Sequence, residues 1–190
     1  TGSGNFLYDV TTDEGYSATD LTGDHLITFP TGSGIHKVSI SGIFPAFDFT
    51  LGVDNEKIID VSNFGIYGLG STNQTQAFLD NENLTITATD AGNFGKVVSF
   101  DSAFKGCESL TSFPFINTSK GEEFNNAWEN CAVLTEFPLL DFSSATDFSD
   151  LIEFSYGFKP YPNSDFNLSG TITTTSNSST ITGSNTNFQS

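Results

Sequence analysis

Arginine is absent from the sequence, and six lysines stand against 23 acidic residues, leaving a formal net charge of −17 over 190 residues. Phosphate recognition depends on Lys and Arg, so this balance argues against nucleic acid as a partner and disfavours an anionic membrane surface. Long apolar runs are missing too: none approaches the roughly 18 residues that a membrane-crossing helix needs, and no membrane insertion is expected. No signal-peptide pattern is present, and the opening Thr1-Gly-Ser-Gly4, without Met, reads as a processed chain or a piece of a longer one. The acidic excess suits a protein that stays dissolved outside cells or in salty water, which speaks to solubility and not to fold.

Groups for catalysis are equally scarce. The two histidines, His25 and His36, fall in expected strands with no cysteine or second histidine beside them, and a lone His is far more often structural than a base or ligand. No Gly-x-Ser-x-Gly elbow, Walker loop or His-Glu-x-x-His helix is present. The acidic pairs Glu122-Glu123 and Asp80/Glu82 have the composition of a hydrolase pair, but among 23 acids such pairs arise by chance and read as solvated turns. The chain is therefore read as non-enzymatic, with no catalytic residue and no cofactor assigned. Calcium is the one metal with donors to consider: Asp9, Asp13, Glu14, Asp20 and Asp24 crowd expected turns, which supply the oxygen ligands Ca²⁺ takes. Asp13, Glu14, Asp20 and Asp24 are the candidates, without EF-hand spacing, against the reading that they solvate the loops. Asn-x-Ser/Thr sequons at Asn73, Asn83, Asn117, Asn167 and Asn177 are expected by accident in so Asn-, Ser- and Thr-rich a chain.

What is present is an internal repeat. Phe100-Asp-Ser-Ala-Phe104-Lys-Gly-Cys107-Glu-Ser-Leu110-Thr-Ser-Phe113-Pro114 matches Phe124-Asn-Asn-Ala-Trp128-Glu-Asn-Cys131-Ala-Val-Leu134-Thr-Glu-Phe137-Pro138 at a constant offset, 124 − 100 = 24. The same offset carries Phe124 to Phe148 and Trp128 to Ile152, while Phe78 and Leu84 precede Phe104 and Leu110 by 26 (104 − 78, 110 − 84). A period in the twenties is solenoid spacing, because one such unit cannot bury its apolar side alone and each position must stack on its equivalent. The expected ladders are Phe100/Phe124/Phe148, Phe78/Phe104/Trp128/Ile152, Cys107/Cys131, Leu84/Leu110/Leu134 and Phe113/Phe137. Apolar spacings of three, one and three in Phe-x-x-Ala-Phe-x-x-Cys predict a short helical face, and Leu-Thr-x-Phe-Pro a brief strand ended by Pro. The 20 Phe residues supply much of an apolar share of only 36%, as thin coils with little interior volume require. Cys107 and Cys131, in adjacent coils, fall either within disulfide reach or, as buried thiols, among the small apolar residues of the core.

The string Ala103-Phe-x-Gly-Cys-x-Ser-Leu-Thr-Ser-Phe-Pro114, followed by Asn117-Thr-Ser, resembles the BspA-like leucine-rich repeats. The approach through Lys57-Ile-Ile-Asp-Val-Ser-Asn-Phe-Gly65 and Leu84-Thr-Ile-Thr-Ala-Thr-Asp-Ala91 is similar to their entry segment and first full turn. Such repeats occur in bacterial surface adhesins and in phage and marine-virus structural proteins, so the resemblance implies a surface or virion interaction protein without catalytic residues. Before the array, short alternating runs at Phe6–Val10, Leu26–Phe29 and His36–Phe44 predict a small antiparallel β module. It resembles a PKD-like domain through Tyr8-Asp-Val, Asp13-Glu-Gly and Thr31-Gly-Ser-Gly-Ile-His-Lys-Val-Ser-Ile-Ser-Gly42, with Thr-Thr-Asp where that family has Trp-Gly-Asp.

After the array, Tyr156-Gly-Phe-Lys-Pro-Tyr-Pro-Asn163 is expected to cover the last coil. The run from Gly170 to Phe188 reads as a Ser/Thr/Asn-rich linker or as a hairpin of its two Thr-Ile-Thr pieces, and is similar to a β element of phage tail and fibre proteins. The fold class expected is mainly β with short helices: a PKD-like antiparallel β module (1–50), a leucine-rich-repeat solenoid (51–154), then a capping loop and β-rich C-terminal tail (155–190). The function expected is that of a virion-surface structural or adhesion protein of a phage or marine virus, as tail fibre, appendage or decoration, multimeric in its assembly. It would bind other virion or surface proteins, and a host receptor or glycan, through extended area. Lys105, Lys120, Glu122 and Glu129, exposed between the ladders, are the binding candidates. The alternatives are a bacterial cell-surface adhesin segment, or a carbohydrate-active or carbohydrate-binding protein with Trp128, Tyr156 and Tyr161 as stacking platforms, although the equivalents of Trp128 mark it as core.

Overall fold

In the computed structural model the described residues are 7–22, 25, 27, 29, 34–49, 54–153 and 155–156, with the backbone of 171–174 and 181–184. The chain divides into two compact units, Thr1–Lys159 and Pro160–Ser190. It is mainly β and mostly non-helical: among the described residues the one helix is a three-residue 3₁₀ turn, Asn55–Lys57.

The first unit opens with a three-stranded antiparallel sheet in the order β2-β1-β3, from β1 (Leu7–Thr12), β2 (Ser17–Leu21) and β3 (Val38–Ile43). Alternation along β1 buries Tyr8 and Val10, and β3 pairs with it in unbroken register from Leu7↔Ile43 to Thr12↔Val38. Gly42, at φ 91°, lies so close that a Cβ there would meet the Leu7 carbonyl oxygen at 2.4 Å. The sequence reading did not foresee β2, because Ser17-Ala-Thr-Asp-Leu21 is short and polar and lacks an apolar alternation to detect. Its register slips between Tyr8↔Leu21 and Val10↔Ala18, at a bulge where Asp20 takes φ 57° and its N–H donates to Asp9 Oδ1 at 2.9 Å. His25 and His36 lie outside strands, contrary to expectation. In the expected strand Leu26–Phe29, Leu26 and Thr28 lie outside the described residues.

Phe44, Phe47 and Phe49 carry the chain onto the repeats: Phe44 meets Tyr8 at 5.2 Å, and Phe47 and Phe49 lie 5.5 and 6.4 Å from Phe78. The repeats then stack as parallel coils. β4 (Asp60–Val61) pairs in parallel with β5 (Thr85–Ile86), and single parallel bridges join Asn73↔Ser99, Ser99↔Glu123, Glu123↔Asp147 and Ser112↔Glu136.

The predicted short helices are not formed. Segments 74–80, 100–106 and 124–130 are runs of linked turns in which backbone donors alternate between two uses. Ala103, Lys105 and Cys107 donate three residues back, to Phe100, Ser102 and Phe104, while Phe100, Ser102, Phe104 and Gly106 donate across to Glu123, Asn125, Ala127 and Glu129 of the next coil. An α-helix would use its interior N–H groups internally and leave no such ladder. Left-handed residues four apart make the pattern possible: Gln76 and Asp80, Ser102 and Gly106, Asn126 and Asn130 all have φ between 53° and 74°. Asn, Asp and Gly tolerate that region best. The apolar spacing is the same in either conformation, so the periodicity alone could not separate them.

Inside, Phe78, Phe104 and Trp128 stack at 5.2 and 5.7 Å with planes within 11°, Phe100 and Phe124 at 5.1 Å, and Phe113 and Phe137 at 5.9 Å. Leu84, Leu110 and Leu134 are buried beside them. Burying each large apolar side chain stabilises by about 1.5–3 kcal/mol, which makes these ladders the main stabilising component of the array. At the far end Ile152 is half-buried and Phe148 is 44% exposed. In the second unit, β6 (Thr171–Thr174) and β7 (Ile181–Ser184) pair as an antiparallel hairpin from Thr171↔Ser184 to Thr174↔Ile181. The expected capping loop lies outside the described residues from Gly157 onward.

Candidate functional surface

The coils present their polar residues in rows, and short side-chain turns hold the rows in place. Asn73 and Asp147 accept from the N–H of the second residue on, Thr75 at 2.6 Å and Ser149 at 2.9 Å, and Ser99 Oγ accepts from Asp101 at 3.4 Å. A second row repeats the device, Asn117 to Ser119 at 3.1 Å and Asp141 to Ser143 at 2.9 Å, which gives the Asn-Thr-Ser element of the repeat its physical role. These bonds hold the Asp141 and Asp147 carboxyls below their ordinary range, through Ser143 and Ser149 respectively. Asp101, Glu123, Asn125, Thr146 and Asp147 line one open acidic depression across three coils.

Of the four binding candidates, Lys105 and Glu129 pair with each other, Nζ to Oε2 at 2.6 Å across adjacent coils. Lys120 and Glu122 are exposed, and the Glu122 carbonyl accepts from Thr146 and Asp147 at 2.8 and 3.1 Å. Trp128 is wholly buried and unsuited to sugar stacking; Tyr156 is 80% exposed, and Tyr161 lies outside the described residues.

Cys107 and Cys131 are free, buried thiols that donate to the carbonyls of Phe78 at 3.3 Å and Phe104 at 3.2 Å. Burial pushes both thiols up, Cys131 to about 12 and Cys107 in the same direction; as protonated, enclosed groups they lack nucleophilic character. Their ladder has polar members that the sequence reading missed, Asn55, Asn81 and Ser155, at offsets 81 − 55 = 26, 107 − 81 = 26 and 155 − 131 = 24. Ser155 Oγ donates to the Trp128 carbonyl at 2.9 Å, and Asn55 and Asn81 both donate to the Leu79 carbonyl, at 2.8 and 3.1 Å. Asn55, Cys107, Cys131 and Ser155 thereby clip one coil to the turn of another, whereas Asn81 bonds within its own coil; the spacing of 26 and then 24 was the signal available for the ladder.

Around the calcium candidates, the β1–β2 turn brings Glu14 and Asp13 to 3.3 and 3.9 Å from His36 Nδ1, and His36 stacks on Phe29 at 4.3 Å. Tyr16 of the same turn bonds His25. Asp20 sits at the bulge with Asp9, and Asp24 lies outside the described residues. Among the described residues no three His, Cys, Asp or Glu side chains converge as a metal site would require. Among the described residues no helix is long and apolar enough to cross a membrane. No protein-family model, curated protein or solved structure matches the chain.

Proposed function

We propose that the chain is a non-enzymatic structural or adhesion protein of a virion surface, a fibre, appendage or decoration of a phage or marine virus, built as a PKD-like β module, a BspA-like leucine-rich-repeat array and a β tail. The observation that carries this reading is the parallel stack of coils whose polar rows are fixed from coil to coil by backbone bonds. Such a stack is an extended surface, indented among the described residues by the open acidic depression, and is suited to binding by area and by repetition of copies on a particle. The acidic composition directs it toward protein or glycan partners. The same architecture on a bacterial cell surface, as an adhesin segment, is the second reading, on the strength of the same repeat resemblance. Imaging the intact source particle at a resolution that places the chain separates the two. Copies at fixed symmetry on a capsid or tail are expected; a cell-anchored chain with many more repeats moves the assignment to the adhesin.

A further inference from the structure

The last described coil differs from those before it. In segments 74–80, 100–106 and 124–130, alternate N–H groups are taken by the following coil, whereas among the described residues nothing accepts those of Phe148, Asp150 and Ile152, at the matching positions. Phe148 continues the Phe100/Phe124 stack, 6.3 Å from Phe124, yet is 44% exposed where both predecessors are wholly buried. This rim also carries Asp147, Asp150 and Glu153. Glu153 is pushed up by desolvation first and then by the charges of Asp150 and Glu129, with Lys105 opposing. Lys105 is itself engaged by Glu129 at 2.6 Å.

Donors on alternate residues match the carbonyls along one edge of an extended strand. An apolar surface beside them matches one face of its side chains, and unbalanced acids match a cation. We propose that this open coil is a docking edge for an extended, lysine-bearing segment of another protein, which sets its carbonyls on the N–H groups of Phe148, Asp150 and Ile152, an apolar side chain on Phe148 and its cations against Asp150 and Glu153. A second copy of the chain is a poor occupant, since a net charge of −17 opposes self-association. The opposite end of the stack is also covered, by Phe47 and Phe49 over Tyr67 and Phe78. The contact stands independently of whether the protein sits on a particle or a cell.

The test follows amide exchange by NMR while the full chain is titrated with a short synthetic peptide alternating lysine and valine, with a glutamate–valine peptide as control. Slowed exchange at Phe148, Asp150 and Ile152 with the lysine peptide alone is expected, with about tenfold weaker binding to the double variant D150N/E153Q at unchanged melting temperature. Asn is chosen at 150 because φ there is 53°, a conformation Asn adopts readily. Binding that leaves these amides unprotected, equal binding of the glutamate peptide, or no binding overturns the proposal. Protection already present before any peptide is added overturns it as well, because the chain then occupies its own edge.

Discussion

Trp128 shows how a ladder position sets the cost of a change. Its ring lies between Phe104, 5.7 Å away, and the edges of Phe113 and Phe137, and its Nε1 has no hydrogen-bond partner among the described residues. Removing the ring leaves a cavity, so Trp128→Ala is expected to lower stability by about 3–5 kcal/mol. Trp128→Phe keeps the stack in the form used at 104 and removes an orphaned N–H, so it should cost no more than about 1.5 kcal/mol. Denaturant unfolding of both variants checks the contrast. Cys131→Ser belongs to the same scale: Ser already does the clipping at 155, so a loss of about 1 kcal/mol or less is expected, against more for Cys131→Ala, which cannot donate to Phe104.

The buried titratable groups give a pH window. Cys131 is raised from 9.0 to about 12, and Cys107 and Tyr67 are also raised by burial. The folded state holds the proton longer than the unfolded chain, so this stability is complete below the unfolded values and is lost as pH rises from about 9 toward 12. Asp141 and Asp147 have the opposite sign: lowered from 3.8, they contribute stability that is present above that value and is lost as pH falls below it. Melting temperature should therefore fall at both extremes, and Cys131→Ser should blunt the alkaline fall. A melting curve that stays flat between pH 9 and 11 contradicts the burial of these thiols.

Among the elements, the linked turns rest on residues able to hold left-handed backbone. Gly106 does so at φ 74°, where a Cβ would also meet Asp80 Oδ1 at 2.4 Å. Gly106→Ala is expected to destabilise by about 1–3 kcal/mol, through backbone strain and that contact together. Its equivalents Asp80 and Asn130 are Asx residues in the same conformation. These turns were only half legible. The pattern of Phe100, Ala103, Phe104 and Cys107 correctly identified which side chains face inward, because an inward face needs only spacing. The choice between helix and turn lay in where each N–H finds its acceptor, and the acceptors of Ser102 and Phe104 sit in Asn125 and Ala127, more than 20 residues away. The strand β2 was missed for a related reason: Ala18 and Leu21 are placed by Val10 and Tyr8 across the sheet, not by any alternation of their own.

For the whole molecule, a stack of coils has a gradient of stability from its middle to its open end. Phe124 is wholly buried between Phe100 and Phe148, whereas Phe148 is covered on one side. Phe124→Ala should cost about 3–5 kcal/mol and Phe148→Ala about 1–2 kcal/mol. Hydrogen exchange should be fastest in 148–153 and slowest in 100–110 and 124–134; uniform exchange across the coils would mean that the end is covered as well as the middle.

The sequence by itself determined the period, the ladders and the mainly β character, because a 24-residue offset of large apolar side chains leaves stacking as the means of burying them. The absence of arginine and the excess of acid likewise set the sign of the net charge without reference to fold. Only the tertiary structure decided that the coils turn rather than wind as helices, and that Phe148 is half exposed where Phe100 and Phe124 are wholly buried. Each of these depends on what a neighbouring coil offers to a backbone N–H or an aromatic face, and that neighbour is adjacent only in the folded chain.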